Sequence, residues 1–147
     1  MDLEAARTLA LGLMAEHVEL ADWRLAFSRH ARRTLGVCRH RQKVIVLSVA
    51  FVTLNDEPTV RDIVLHELAH ALVGAGHGHD AVWKAKAVEV GANPERVCTV
   101  AVMPPGDWQA TCASCNRVFH QYRKPSRRYW CRPCGLDAGP LTFTRRS

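Results

Sequence analysis

His66 and His70 stand four positions apart, and Glu67 follows the first of them. On an α-helix such positions project from one face, one turn apart, so two imidazoles can reach one cation. Zn²⁺ accepts histidine nitrogen at about 2.0–2.1 Å, which this spacing allows both rings to meet. The carboxylate between them points beside the metal rather than at it. That suits a group that takes a proton from a water the metal activates. Ile63, Val64, Leu68, Ala69, Ala71, Leu72 and Val73 would bury the rest of the helix and leave the histidines in a half-buried cleft. A catalytic zinc wants a third protein ligand and one open position. His77 and His79, around the glycines that end the helix, are the candidates. An H-x-x-G-x-x-H continuation, which would fix the third histidine by spacing, is not met, since the glycine and the histidine each fall one residue late.

A second set of ligands lies further on. Cys112, Cys115, Cys131 and Cys134 form C-x2-C-x15-C-x2-C. Each C-x2-C makes a tight turn that aims two thiolates at one ion, and four thiolates close a tetrahedral, structural zinc site with no open position. The insert "NRVFHQYRKPSRRYW" suits the hairpin of a zinc ribbon. A basic segment of this size has too little apolar material to fold without such a staple. Cys38 and Cys98 remain as free structural thiols, while His17, His30, His40 and His120 are expected on the surface.

The net charge of +6 is unevenly placed. From Trp108 onward the chain carries +7, with Asp137 the single acid, so residues 1–107 carry −1. Arg117, Arg123, Lys124, Arg127 and Arg128 are the candidate nucleic-acid contacts of this segment. Phe119, Tyr122, Tyr129 and Trp130 lie among them and offer faces on which bases can stack. A further basic cluster runs through Arg29, Arg32, Arg33, Arg39, Arg41 and Lys43. No apolar run approaches the ~20 residues of a membrane helix. Asp2 and Glu4 precede the first apolar stretch, where a signal peptide carries positive charge. These features, with thiols in metal-binding pairs, place the chain in the cytoplasm, with a monomer expected.

The elements that must position these groups follow from pattern. Leu3, Ala6, Leu9, Ala10, Leu13, Met14 and Val18 recur at helical spacing and predict a helix over 2–20. Trp23, Leu25 and Phe27 alternate as in a half-buried strand, and the β-branched run Val44 to Val49 reads as another. Residues 55–76 read as one helix with Pro58 in its first turn and Gly74 and Gly76 at its end. Asp80 and Gly91 bracket a further helix over 81–90. Composition changes after Met103–Trp108, from a mixed domain to cysteines, arginines and aromatics.

"VLHELAHAL" and "HDAVW", with the cysteine module that follows, resemble the SprT-like metalloproteases. The resemblance implies an α+β, zincin-like metalloprotease domain over 1–104 and a small β zinc ribbon with four cysteine ligands over 108–147. In that family the third histidine opens the next helix in the pattern H-G-x-x-F/W. His79 followed by Trp83 fits it, with Asp80 where glycine is commoner, and His77 is the alternative. The resemblance also implies a zinc metalloendopeptidase that cuts proteins bound or crosslinked to DNA, with Glu67 as general base and two Zn²⁺, one catalytic and one structural. A substrate strand is expected to pair with the edge strand near Val44–Ser48 by β-augmentation. The rival reading is a non-catalytic zinc-ribbon protein that binds nucleic acid.

Overall fold

The structure is a computed structural model of the chain, and it describes residues 1–146. Ser147, the last residue of the expected ribbon, lies outside the described residues. The chain divides into two compact units, Met1–Met103 and the residues from Pro104 onward. It is α+β, as the sequence leads one to expect.

In the first unit, α1 (Leu3–Ala15) starts where the Asp2 carboxylate accepts the N–H groups of Glu4 and Ala5. These are donors that a helix start leaves without intrahelical partners. It buries Ala6, Ala10, Leu13 and Met14. The helix is shorter than periodicity suggests: Val18 belongs to a separate short 3-10 turn and is 82% exposed.

Three strands follow: β1 (Arg24–Ser28), β2 (Gly36–Arg39) and β3 (Val44–Ser48). Their order in the sheet is β1-β3-β2, with β1 parallel and β2 antiparallel to β3. Val44–Ser48 is therefore not itself the edge strand expected there for a substrate. That strand is central and hydrogen-bonded on both sides, and the edges are β1 and β2. Its near-continuous apolar run is the signature of an inner strand rather than an edge. The strand also stops one residue earlier than expected. Ser48 turns its hydroxyl to accept the Phe51 N–H at 3.2 Å and to donate to the Ala31 carbonyl at 2.6 Å, so Val49–Leu54 form α2.

Asp56 caps α3 (Glu57–Val73) by accepting the Thr59 N–H, with Pro58 in the first turn, where its missing N–H costs nothing. This helix buries Val60, Ile63, Val64, Leu65, Leu68 and Ala69 against α1, β2 and β3. Each fully buried aliphatic side chain of this kind stabilises the fold by about 1.5–3 kcal/mol. α4 (Ala81–Val90) packs on α3, capped by Asp80 through the Trp83 N–H at 2.9 Å and ended by left-handed Gly91. Asn55 pins the chain that leads away from α4: its side-chain amide donates to the Val102 carbonyl and accepts the Val102 N–H, both at 2.7 Å.

The second unit is a small antiparallel sheet in the order β5-β4-β6: β4 (Trp108–Thr111), β5 (Val118–Gln121) and β6 (Thr144–Arg145). Its buried apolar side chains are Ala110, Cys112 and Cys131 among the described residues. No helix among the described residues is long and apolar enough to cross a membrane.

Candidate metal centres

Among the described residues, two side-chain clusters have ligand atoms within 4.8 Å of one another: His66, His70 and His79 in the first unit, and the four cysteines in the second.

The histidine cluster joins a rigid helix to a loop. His66 and His70 share one face of α3, and His79 reaches them from the turn that precedes α4. His79 Nε2 lies 3.0 Å from His66 Nε2 and 3.2 Å from His70 Nε2. Nitrogens bound at 2.0–2.1 Å to one tetrahedral ion are about 3.3 Å apart, so the three rings are spaced for such an ion. Burial, then the neighbouring imidazoles, pushes His66 and His70 down to about 4 from the usual 6.5. Both rings are thus neutral near pH 7, the form in which imidazole offers a lone pair to a cation. Trp83 is fully buried beneath all three rings, stacked on His70 at 5.1 Å and within 4.6 Å of the other two.

His77 is not part of this group. Its Nδ1 lies 2.8 Å from an Asp80 carboxylate oxygen, while the other Asp80 oxygen caps α4. The pair ties the loop to the helix start two residues from His79.

Glu67 packs against β2, is 7% exposed, and lines a cleft that it shares with His66, His70 and His79. Burial pushes its carboxyl up to about 7, against the smaller lowering effect of the hydrogen bond from the Cys38 backbone N–H. Gly36 on the same strand makes room for it, since a Cβ there would stand 3.0 Å from Glu67 Cγ and 3.2 Å from Oε1. A cavity of about 160 Å³ beside His66 and Glu67 is lined also by Asp62, Asn93, Arg96 and Cys98. The guanidinium of Arg96 is near enough to help depress His79, after burial.

Sequence reasoning missed β2 and what it carries. Four residues with a glycine are too short for a periodicity argument. His40, expected on the surface, is half-buried and lies 2.8 Å from the His70 carbonyl. The only available signal was the i, i+2 spacing of Cys38 and His40, which puts them on one face of an extended segment.

The four cysteines sit in two matching turns. Asn116 and Gly135, each just after a C-x2-C pair, adopt positive φ of 58° and 65°. Their N–H groups return to the carbonyls of Cys112 and Cys131, at 3.0 and 2.8 Å. The Cys115 and Cys131 sulfurs are 3.6 Å apart, close to the about 3.8 Å that Zn–S bonds of 2.3 Å imply. Backbone N–H groups of Cys115 and Ser114 draw the Cys112 thiol down to about 7, while Cys131 is pushed up by burial and Cys134 by its hydrogen bond with Cys115, so the proton is shared unequally within the cluster.

The basic candidates Arg117, Arg123, Lys124, Arg127 and Arg128 are all exposed. Lys124 lies over the Trp108 ring and Arg127 over the Tyr129 ring, at 5.8 and 5.2 Å. Of the aromatics, Tyr129 packs edge-on against Phe143 and Tyr122 donates to the Pro104 carbonyl at 2.8 Å. Trp130 is 39% exposed, in a shallow pocket lined by Arg127, Arg128 and Arg132.

A zincin-like domain followed by a four-cysteine module is the class that this fold and these clusters define. The chain belongs to the SprT-like family, whose profile matches residues 6–102, a span that holds the whole histidine cluster and Glu67. This is a metallopeptidase-type family. No curated protein and no solved structure matched the chain.

Proposed function

We propose that the chain is a zinc-dependent endopeptidase that acts on proteins bound or crosslinked to DNA. One observation carries the catalytic part: three neutral imidazoles converge at ion-binding spacing, and a buried carboxyl with a pKa raised to about 7 follows the first of them on the same helix. His66, His70 and His79 would hold the catalytic Zn²⁺. Bound there, the ion supplies Lewis-acid activation of water and positive charge for the developing oxyanion. Glu67 exchanges the proton: its carboxylate takes one from the attacking water and returns it to the leaving amine. A pKa near the working pH favours both transfers. Gly36 and the Cys38 N–H keep the carboxylate in place for them. An extended substrate would pair at β2, the sheet edge that packs on the site helix.

Cys112, Cys115, Cys131 and Cys134 would hold a structural Zn²⁺, with no position left for substrate. The exposed Arg117, Arg123, Lys124, Arg127 and Arg128 contact phosphate in this reading, with Trp130 offered to a base. Protein substrate and DNA are thus the partners of a monomer in the reducing cytoplasm.

The test compares wild type with Glu67→Gln on a DNA-bound protein, with and without single-stranded DNA. We expect cleavage to fall by about 10²–10⁴-fold in the variant. Equal cleavage by both would refute the role of Glu67. DNA binding with steep salt dependence and no cleavage by wild type would leave a nucleic-acid-binding module. Cleavage indifferent to DNA would remove the DNA-linked part alone.

A further inference from the structure

The last turn of α3 has a chemical problem. The final four carbonyls of a helix have no N–H partner ahead of them. His70 is one of those four residues, and it is also a member of the metal cluster. Its carbonyl is met from outside the helix by His40, whose Nε2 lies 2.8 Å away. A carbonyl oxygen only accepts, so Nε2 must carry the hydrogen and donate it.

His40 is held on several sides. Its own carbonyl accepts the Lys43 N–H at 3.1 Å, which closes the turn between β2 and β3. Lys43 takes positive φ in that turn and pairs with Asp22. The Trp23 ring stands T-shaped to the imidazole at 5.8 Å, with planes 86° apart. Cys38 Sγ lies against the ring, 3.9 Å from Nδ1 and 3.8 Å from Nε2. Burial pushes that thiol up to about 12, so it stays a neutral S–H beside the ring.

The same short strand also grips Glu67, through the Cys38 N–H and the space at Gly36. One segment, Gly36–His40, therefore touches both ends of the H-E-x-x-H turn: the carboxylate at one end and the backbone of the second histidine at the other.

We propose that His40 is a positioning residue of the metal centre: by donating from Nε2 to the His70 carbonyl, it fixes the end of α3 and so the aim of the His70 ring. This deepens the zinc-peptidase reading and rests on it. Nothing about His40 requires it to touch metal or substrate.

The experiment uses the zinc-loaded full chain. Long-range proton–nitrogen correlation reports the tautomer of His40, and we expect hydrogen on Nε2. An Nε2 without hydrogen overturns the proposal whatever the enzyme does. Zinc affinity is then measured by chelator competition in wild type, His40→Leu and His40→Gln. Outer partners of metal ligands are typically worth about 10–100-fold in affinity. We expect His40→Leu to weaken the histidine-cluster zinc by about tenfold or more and to leave the cysteine-held zinc unchanged. In glutamine the side-chain nitrogen can take the place of Nε2, so His40→Gln should recover most of the loss. Leucine without effect, or glutamine no better than leucine, overturns the proposal. Should His66→Ala bind as much zinc as wild type, the reading of the metal site itself fails, and the tautomer still tests the hydrogen bond.

Discussion

The two clusters bring metal-ligating side chains together by opposite means. The histidines ride on elements that the core of the first unit already holds. α3 is anchored by Val60, Val64 and Leu68, and Trp83 closes the site from below with none of its surface exposed. The cysteines have no such support. Of the three buried apolar side chains among the described residues of the second unit, two are Cys112 and Cys131 themselves. A domain whose ligands are also its core needs the ion to fold, whereas a domain with an independent core can hold an ion at an open, reactive position.

Metal removal should separate the two most widely. Chelation, or Cys131→Ser, is expected to abolish the fold of the second unit. Amide resonances from Pro104 onward should collapse to unfolded positions while those of residues 1–103 stay dispersed. His66→Ala should remove zinc from one site with both units still folded. A common collapse under chelation would break the contrast, because the histidine site would then also depend on its ion for folding.

The first unit should fail by loss of packing instead. Trp83→Ala removes the floor beneath three rings and is expected to cost about 3–5 kcal/mol, as large aromatic truncations in cores do. Denaturant unfolding of the first unit measures it. A loss under about 1 kcal/mol would mean that the site collapses around the gap, so that its architecture is not held by the core.

Gly36→Ala sharpens the comparison at the level of one carboxylate. The added Cβ meets Glu67 Cγ at 3.0 Å and Oε1 at 3.2 Å, and Ile63 stands behind at 3.3 Å. Glu67 must shift, while the imidazoles have no reason to move. We expect zinc content to hold and peptidase activity to drop, by up to about 10²-fold if the carboxylate is displaced by about 1 Å. Activity equal to wild type would show that the carboxylate is not held by β2.

What the sequence made legible was whatever depends on fixed spacing. His66 and His70 fall on one helical face because the period is 3.6, and the paired cysteines fall in matching turns because two intervening residues allow little else. Asp80 as cap and Gly91 as stop were readable for the same local reason. What resisted was whatever depends on neighbours distant in the chain. The inner place of Val44–Ser48 is set by β1 and β2 pairing on either side, which no window of sequence contains. The break at Ser48 depends on a hydroxyl that also reaches Ala31. The burial of His40 needs Trp23 on one side and the end of α3 on the other.

The smallest effect expected is in the acid response of the first unit once metal is stripped. His66 and His70 have pKa values of about 4 in the fold, against a usual 6.5. The unfolded chain takes up those protons first, so their contribution is whole above pH 6.5 and is lost as pH falls toward 4. Glu67 works in the other sense. Its folded value of about 7 exceeds the usual 4.5, so its contribution is whole below 4.5 and is lost as pH rises toward 7. Between pH 7 and 4.5, these two imidazoles, joined by His79, which burial also lowers, therefore oppose one carboxyl. The expected net is a modest fall in the melting temperature of the metal-free first unit on acidification. Glu67→Gln removes the opposing carboxyl and should steepen that fall. A melting temperature that rises on acidification, or a slope untouched by the substitution, would show that burial does not set the protonation of this site.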